Sequence, residues 1–270
     1  MRISYLGGDD PEVAILGGIH GDEPCGVTAI ERLLDDPPEL ERAVALVIAN
    51  EEAIAADKRY LDEDLNRAFP GDPDGDTHET RLAAQLTEEI GDCLTLSLHS
   101  TQSYGGMFAV INDSNGTARK ICPQLSIDAV VDTGVYDEGR IFAGIPQTIE
   151  IECGYQGSAH AAENATTITK EFLGAVGALP EAARPPQQEL PLFRLRQPIH
   201  KERATSYEVF ASNFERIEAG EAFAAVDDTD VIAEEEFYPV LLSAYGYEEM
   251  FGYAADRIGT LDHRQIAEDD

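Results

Sequence analysis

The pattern of apolar and polar positions along the 270-residue chain changes character near residue 180. Before that point, short unbroken apolar runs alternate with longer stretches whose apolar residues recur every three or four positions. Val13 to Gly17 reads as a buried strand, and so do Ala43 to Ala49, Leu94 to Leu98, Gly106 to Ile111 and Thr148 to Ile151. Pro24 to Leu34, Thr80 to Ile90, Ala118 to Leu125 and Ala165 to Val176 carry helical spacing; in the first, Val27, Ile30, Leu33 and Leu34 share a face. Strands spaced by such helices predict α/β layers around a largely parallel or mixed sheet.

Leu179 to Glu189 is Pro-rich and polar, which suits a boundary. After it come short alternating runs at Leu192 to Leu195, Tyr207 to Phe210, Ala222 to Val226 and Val240 to Leu242. They predict an all-β segment of roughly 80 residues, small for a unit that must bury its own core. The expected organisation is an α/β domain over 1–180 and a smaller C-terminal β-rich domain over 189–270, packed on the first.

Charge narrows the partners. The chain has 19 Lys plus Arg against 52 Asp plus Glu, a formal net charge of −33, with 43% hydrophobic residues. That apolar fraction suffices for a core, while the charge repels nucleic acid and anionic membrane surfaces. No run approaches the ~20 apolar residues of a membrane span, and the N-terminus shows no apolar segment of a secretion signal. The acids are dispersed, and the only lysines are Lys58, Lys120, Lys170 and Lys201, a surface suited to molar salt, where screening is short-ranged. Cys25, Cys93, Cys122 and Cys153 form no CxxC pair, which fits free thiols in a reducing cytoplasm.

Candidate chemistry gathers at strand ends. His20 follows the first buried run directly, in GGIHGDEP, and Glu23 stands three residues later at the start of a helix. Imidazole and carboxylate are natural zinc ligands; equally, a turn histidine and a Glu at a helix N-terminus need no metal. His99 ends the run LTLSL and supplies a second strand-terminal imidazole, so two His and one Glu make up a catalytic-type zinc set. Between them, Arg59 to Gly71 (RYLDEDLNRAFPG) carries Arg59, Asn66 and Arg67. Its guanidinium groups can clamp a carboxylate or pair locally with Asp62, Glu63 and Asp64. Glu150 and Glu152 share one face of TIEIE, as a general base beside a metal or as an ordinary pair of strand acids. His78, His160, His200 and His263 read as surface residues or minor polar contacts.

The ordered set HGDE, DLNRAFPG, LHST and IECG resembles the succinylglutamate desuccinylase/aspartoacylase family, from about Gly17 to Gly157 and again in YPVLLSAYGYEE. The resemblance implies a zinc carboxypeptidase-like α/β fold with a mixed sheet, and one zinc ion per chain on His20, Glu23 and His99. It implies Glu152 as the catalytic carboxylate and Arg59 as the group that polarises the scissile carbonyl. Asn66 and Arg67 would hold the substrate α-carboxylate. Arg140, two residues out of register, would reach a side-chain carboxylate, and Tyr247, with Tyr245 as its rival, would close the pocket. The implied reaction is zinc-dependent hydrolysis of a small anionic N-acyl amino acid such as N-acetylaspartate or N-succinylglutamate. A metallocarboxypeptidase or a non-catalytic binding member of the fold are the alternatives. Ile19 and Asp22 depart from the family pattern, as does CGYQGS after Glu152; the ligands are intact. Arg59, Arg67 and Arg140 should therefore meet in one cleft within an acidic shell.

Overall fold

The structure is a computed structural model and describes residues 1–112, 116–180 and 188–261. The expected boundary segment and His263 fall partly or wholly outside those residues. In chain order the first strands and helices are β1 (Arg2–Leu6), β2 (Val13–Gly17), α1 (Cys25–Asp35), β3 (Val44–Ile48), α2 (Glu51–Ala55), α3 (His78–Ile90), β4 (Leu94–Thr101) and β5 (Phe108–Ile111). There follow α4 (Gly116–Ile121), β6 (Ala129–Asp132), β7 (Thr148–Tyr155), α5 (Ala159–Ala175) and β8 (Leu190–His200). The remainder is β9 (Tyr207–Val209), β10 (Ala222–Val226), β11 (Thr229–Ile232), β12 (Tyr238–Val240) and β13 (Met250–Leu261).

Ten strands form one mixed sheet in the order β1-β3-β2-β4-β7-β5-β6-β8-β13-β12. β2, β4 and β7 are adjacent and parallel, with Gly17 opposite Leu98 and His99 opposite Glu152. Their C-terminal ends therefore open on one place, where open α/β sheets bind ligands. The central strands read as unbroken apolar runs because both faces are covered. Leu82, Leu86 and Ile90 of α3 pack on one face, and Ile30 and Leu33 of α1 with Ile168 and Phe172 of α5 on the other.

Two glycines set the distance between α1 and the sheet. A Cβ on Gly17 would lie 2.6 Å from the Gly26 carbonyl carbon, and one on Gly26 would lie 2.8 Å from Leu98 Cβ. Their absent side chains let the helix begin against β2 and β4, which carries Glu23 to the strand ends.

The C-terminal segment continues the main sheet. β8 pairs with β6 in parallel through Val130↔Leu192 and Val131↔Phe193, and β13 pairs antiparallel with β8 from Met250↔His200 to Leu261↔Leu190. β11, β10 and β9 form a separate three-stranded sheet. It encloses Phe223, Ala224 and Phe237 against Phe251 and Ala254 of β13. β13 is thus two-sided, since Tyr253 and Ala255 point into the main core. Among the described residues no helix is long and apolar enough to cross a membrane.

Candidate metal centre

His20 and Glu23 stand on the turn from β2 into α1, and His99 on β4; each is buried, at 4% exposure. Their ligating atoms lie within 4.8 Å of one another. The two carboxylate oxygens of Glu23 divide between the rings: Oε1 is 2.8 Å from His20 Nδ1, and Oε2 is 3.2 Å from His99 Nδ1. The Ser100 backbone N–H also donates to Oε2, at 3.1 Å. Burial opposes ionisation of Glu23, but the charges and hydrogen bonds of both imidazoles hold its carboxyl well below the usual range.

The far nitrogens of both rings are occupied. His20 Nε2 sits 2.9 Å from Asp64 Oδ1, while His99 Nε2 is 3.0 Å from Ser97 Oγ and 3.3 Å from Glu150 Oε1. If a metal bound, a proton kept on each Nε2 would free the lone pair of Nδ1, which points towards Glu23. His20 Nδ1 is buried without a hydrogen-bond partner. Two Nδ1 atoms and one carboxylate converging on a point, with the rings fixed from behind, fit a divalent metal of zinc type. Without metal, burial lowers the affinity of both imidazoles for protons, yet the surrounding carboxylates win. Glu23 and Asp64 raise His20, and Glu150 and Glu23 raise His99 well above the ordinary value.

Glu152 faces the same cleft from β7. Its Oε2 is buried and has no hydrogen-bond partner, and burial together with the Glu23 charge pushes its carboxyl up to about 7. Arg59 donates through Nη1 to Glu23 Oε1 at 2.9 Å, and its Nη2 lies 3.3 Å from Asp64 Oδ2. Local pairing therefore holds for Arg59 and leaves Arg67 exposed, with Nη1 on the Asn66 carbonyl oxygen at 2.5 Å. Asn66 is buried; its Nδ2 donates to Glu150 Oε1 at 2.6 Å and its Oδ1 accepts from Ile141 N at 2.9 Å.

Arg59, Arg67 and Arg140 all line this cleft, together with Tyr247. The expected gathering of guanidinium groups is present, but Asp22, Glu23, Glu150 and Glu152 line it too, so the cleft is a mixed-charge site. Tyr245 is 62% exposed and turns away, its hydroxyl oxygen accepting from Tyr207 N at 3.2 Å. His78 begins α3, with Nε2 3.2 Å from Asn50 Oδ1, and His160 lies within α5.

Two supports have no counterpart in the sequence expectations. Asp64 orients His20. Glu79 on α3 is fully buried and accepts from the backbone N–H groups of Leu61, Asp62 and Glu63, at 2.8, 3.1 and 3.3 Å, and from Asn50 Nδ2 at 3.0 Å. That one carboxylate pins the loop that presents Arg59, Asp64, Asn66 and Arg67. The signal available beforehand was an acid at the first turn of α3, which ordinarily serves only the helix dipole.

Residues 9–125 match the family model described as succinylglutamate desuccinylase/aspartoacylase catalytic domain. The chain is 39% identical over 123 residues to the mouse N-acyl-aromatic-L-amino acid amidohydrolase, covering 38% of this chain and 37% of that protein. It is 31% identical over 169 residues to the Halomonas elongata N-alpha-acetyl-L-2,4-diaminobutyric acid deacetylase, covering 50% of this chain and 47% of that one. The alignments thus span less than half the length of these curated relatives. A crystal structure of succinylglutamate desuccinylase/aspartoacylase from Rhodobacter sphaeroides superposes with a TM-score of 0.76 at 18% identity, over 94% of this chain and 89% of that one. The fold is that of this crystal structure. Over residues 9–125 the chain resembles the catalytic domain of the succinylglutamate desuccinylase/aspartoacylase family.

Proposed function

We propose that this protein hydrolyses the amide bond of a small N-acyl amino acid, with zinc held by His20, Glu23 and His99. The carrying observation is Glu152: an unpartnered, buried carboxylate oxygen with its pKa near 7, beside two imidazoles whose Nδ1 atoms converge on Glu23. When bound, zinc supplies Lewis acidity, which acidifies water and polarises a carbonyl oxygen.

The chain's own residues supply the remaining steps. A carboxyl poised near neutrality can accept the proton of the attacking water and then deliver it to the departing amine nitrogen. Arg59 stays charged at every working pH, since Glu23 and Asp64 hold its guanidinium above even its usual value against the effect of burial. It stands where it can stabilise negative charge developing on the carbonyl oxygen. Arg67 receives the α-carboxylate, with Asn66 beside it as the fixed neighbour that sets its position. Tyr247 closes the cleft from the C-terminal segment.

The test is a panel of N-acetylated and N-succinylated amino acids, with short peptides for comparison, assayed on zinc-loaded protein. Glu152→Gln should retain zinc and lose turnover by about 10²–10⁴-fold. Near-normal turnover in that variant would refute the proton-transfer role, and cleavage of peptides alone would replace the deacylase reading with a carboxypeptidase.

A further inference from the structure

Three guanidinium groups face the cleft, and two of them already have carboxylate partners. Arg59 is shared by Glu23 and Asp64. Arg140 is buried at 6% exposure, with Nη1 3.5 Å from Glu150 Oε2 and Nε donating to the Tyr136 carbonyl oxygen at 3.0 Å. Among the described residues lining the cleft, Arg67 is the guanidinium with no carboxylate within 4.0 Å. On the acidic side, Asp22 Oδ1 is buried and unpartnered.

Glu150 is what commits Arg140. It is itself 3% exposed and lies two residues before Glu152 on the same face of β7. It is fixed by Asn66 Nδ2 at 2.6 Å as well as by Arg140. Its Oε1 also lies 3.3 Å from His99 Nε2, so both carboxylate oxygens already face nitrogen partners. A substrate with two carboxylates needs two available cations. One is at hand in Arg67. A second substrate carboxylate would have to displace Glu150 from Arg140, which leaves a buried unpaired charge, or lie against Glu150 and Asp22, where like charges repel.

We propose that Glu150 determines substrate specificity: by occupying Arg140 it restricts the cleft to N-acyl amino acids with a single carboxylate, whose side chain is uncharged or cationic. Dicarboxylates such as N-acetylaspartate are excluded. The proposal rests on the amide-hydrolase function and deepens it by naming the substrate class.

The decisive comparison uses N-acetyl-L-asparagine and N-acetyl-L-aspartate, which are nearly isosteric and differ in charge. Zinc-loaded wild-type protein should favour the asparagine derivative in kcat/KM by about tenfold or more. Glu150→Gln keeps the size and hydrogen-bonding capacity of the side chain; with zinc content verified, it should shrink that ratio by about tenfold, through the KM of the aspartate derivative. Arg140→Met should leave the wild-type preference intact or stronger, because Arg140 serves Glu150 and not the substrate. A wild-type preference for N-acetylaspartate, an unmoved ratio in Glu150→Gln, or loss of aspartate-derivative turnover confined to Arg140→Met each overturns the proposal. If Glu150→Gln fails to fold or to hold zinc, the wild-type ratio and Arg140→Met decide. Calorimetric binding of L-asparagine against L-aspartate to zinc-loaded protein reads selectivity without turnover. If neither amide is cleaved, the hydrolase function falls, and that binding preference still judges Glu150.

Discussion

The strand ends of β2, β4 and β7 and the small β layer built from β9, β10 and β11 are both well packed, yet they are built from opposite materials. The first buries His20, Glu23, His99, Glu150 and Arg140 in one place. The second buries Ile217, Phe223, Phe237 and Phe251. Apolar burial stabilises a fold directly, at about 25 cal/mol per Å². Buried ionisable groups contribute little net stability even when paired, because desolvation offsets the Coulombic gain. The contrast separates a region that holds the chain together from one that the chain holds in shape for another purpose.

The sharpest way to break the comparison is to remove a ligand. His99→Ala should weaken zinc binding by more than the ~100-fold that loss of an outer partner brings, with a loss of folding stability smaller than that of a core truncation. Metal analysis after dialysis and urea unfolding of the metal-free form check the two halves of that statement. The mirror experiment is Phe237→Ala, whose ring packs edge-on against Phe223 with centroids 5.2 Å apart. It should cost about 3–5 kcal/mol in urea unfolding while leaving zinc affinity of the folded protein unchanged. Equal effects of both variants on both measurements would erase the distinction drawn here. A smaller effect comes from behind the ligand. Asp64→Asn should reduce zinc affinity by about 10–100-fold in a chelator competition, because Nε2 of His20 loses the carboxylate that fixes its proton.

The mildest test is pH. The folded, metal-free protein holds both imidazoles above their ordinary value of 6.5, so the stability they contribute is full below that pH and is lost as pH rises through the raised values. Glu152 acts in the same direction: its carboxyl, raised to about 7, makes the folded state bind more protons than the unfolded chain from about pH 4.5 upward. Zinc binding requires those protons to leave, so its affinity should rise over the same interval. Chemical denaturation of the metal-free protein and zinc titration between pH 6 and 8 should therefore slope in opposite directions.

The clustering of His20, Glu23 and His99 was legible because both histidines follow a buried apolar run directly, with Glu23 three residues beyond the first, and a strand end is a place a sequence can mark. The parallel core strands were legible for the same reason. What lay beyond reach were pairings across long separations: Asn66 with Glu150 across 84 positions, and Glu79 with three backbone N–H groups of a preceding loop. An acid on a strand or at a helix start looks alike whether it is solvated or central. β13 escaped for a different reason. Its sequence MFGYAADRIGTL has two glycines, little alternation and both faces in use, so its extended form comes from pairing with β8 and not from its own pattern. β1 is short and half-exposed, and its strand character likewise comes from pairing with β3.

The pairing of β6 with β8 reaches beyond the architecture itself. Val130, Val131 and Asp132 face Leu192, Phe193 and Arg194, and the Arg194 guanidinium closes on Asp132 at 2.7 Å. A fragment ending at residue 180 would keep His20, Glu23 and His99 and the whole matched family segment, yet its sheet would stop at an apolar strand with one open row of N–H and C=O groups. Such an edge recruits other chains. The last third of the polypeptide is thus a guard against self-association as well as one wall of the cleft, and attempts to shorten the protein to its first 180 residues should yield aggregates before they yield a smaller folded protein.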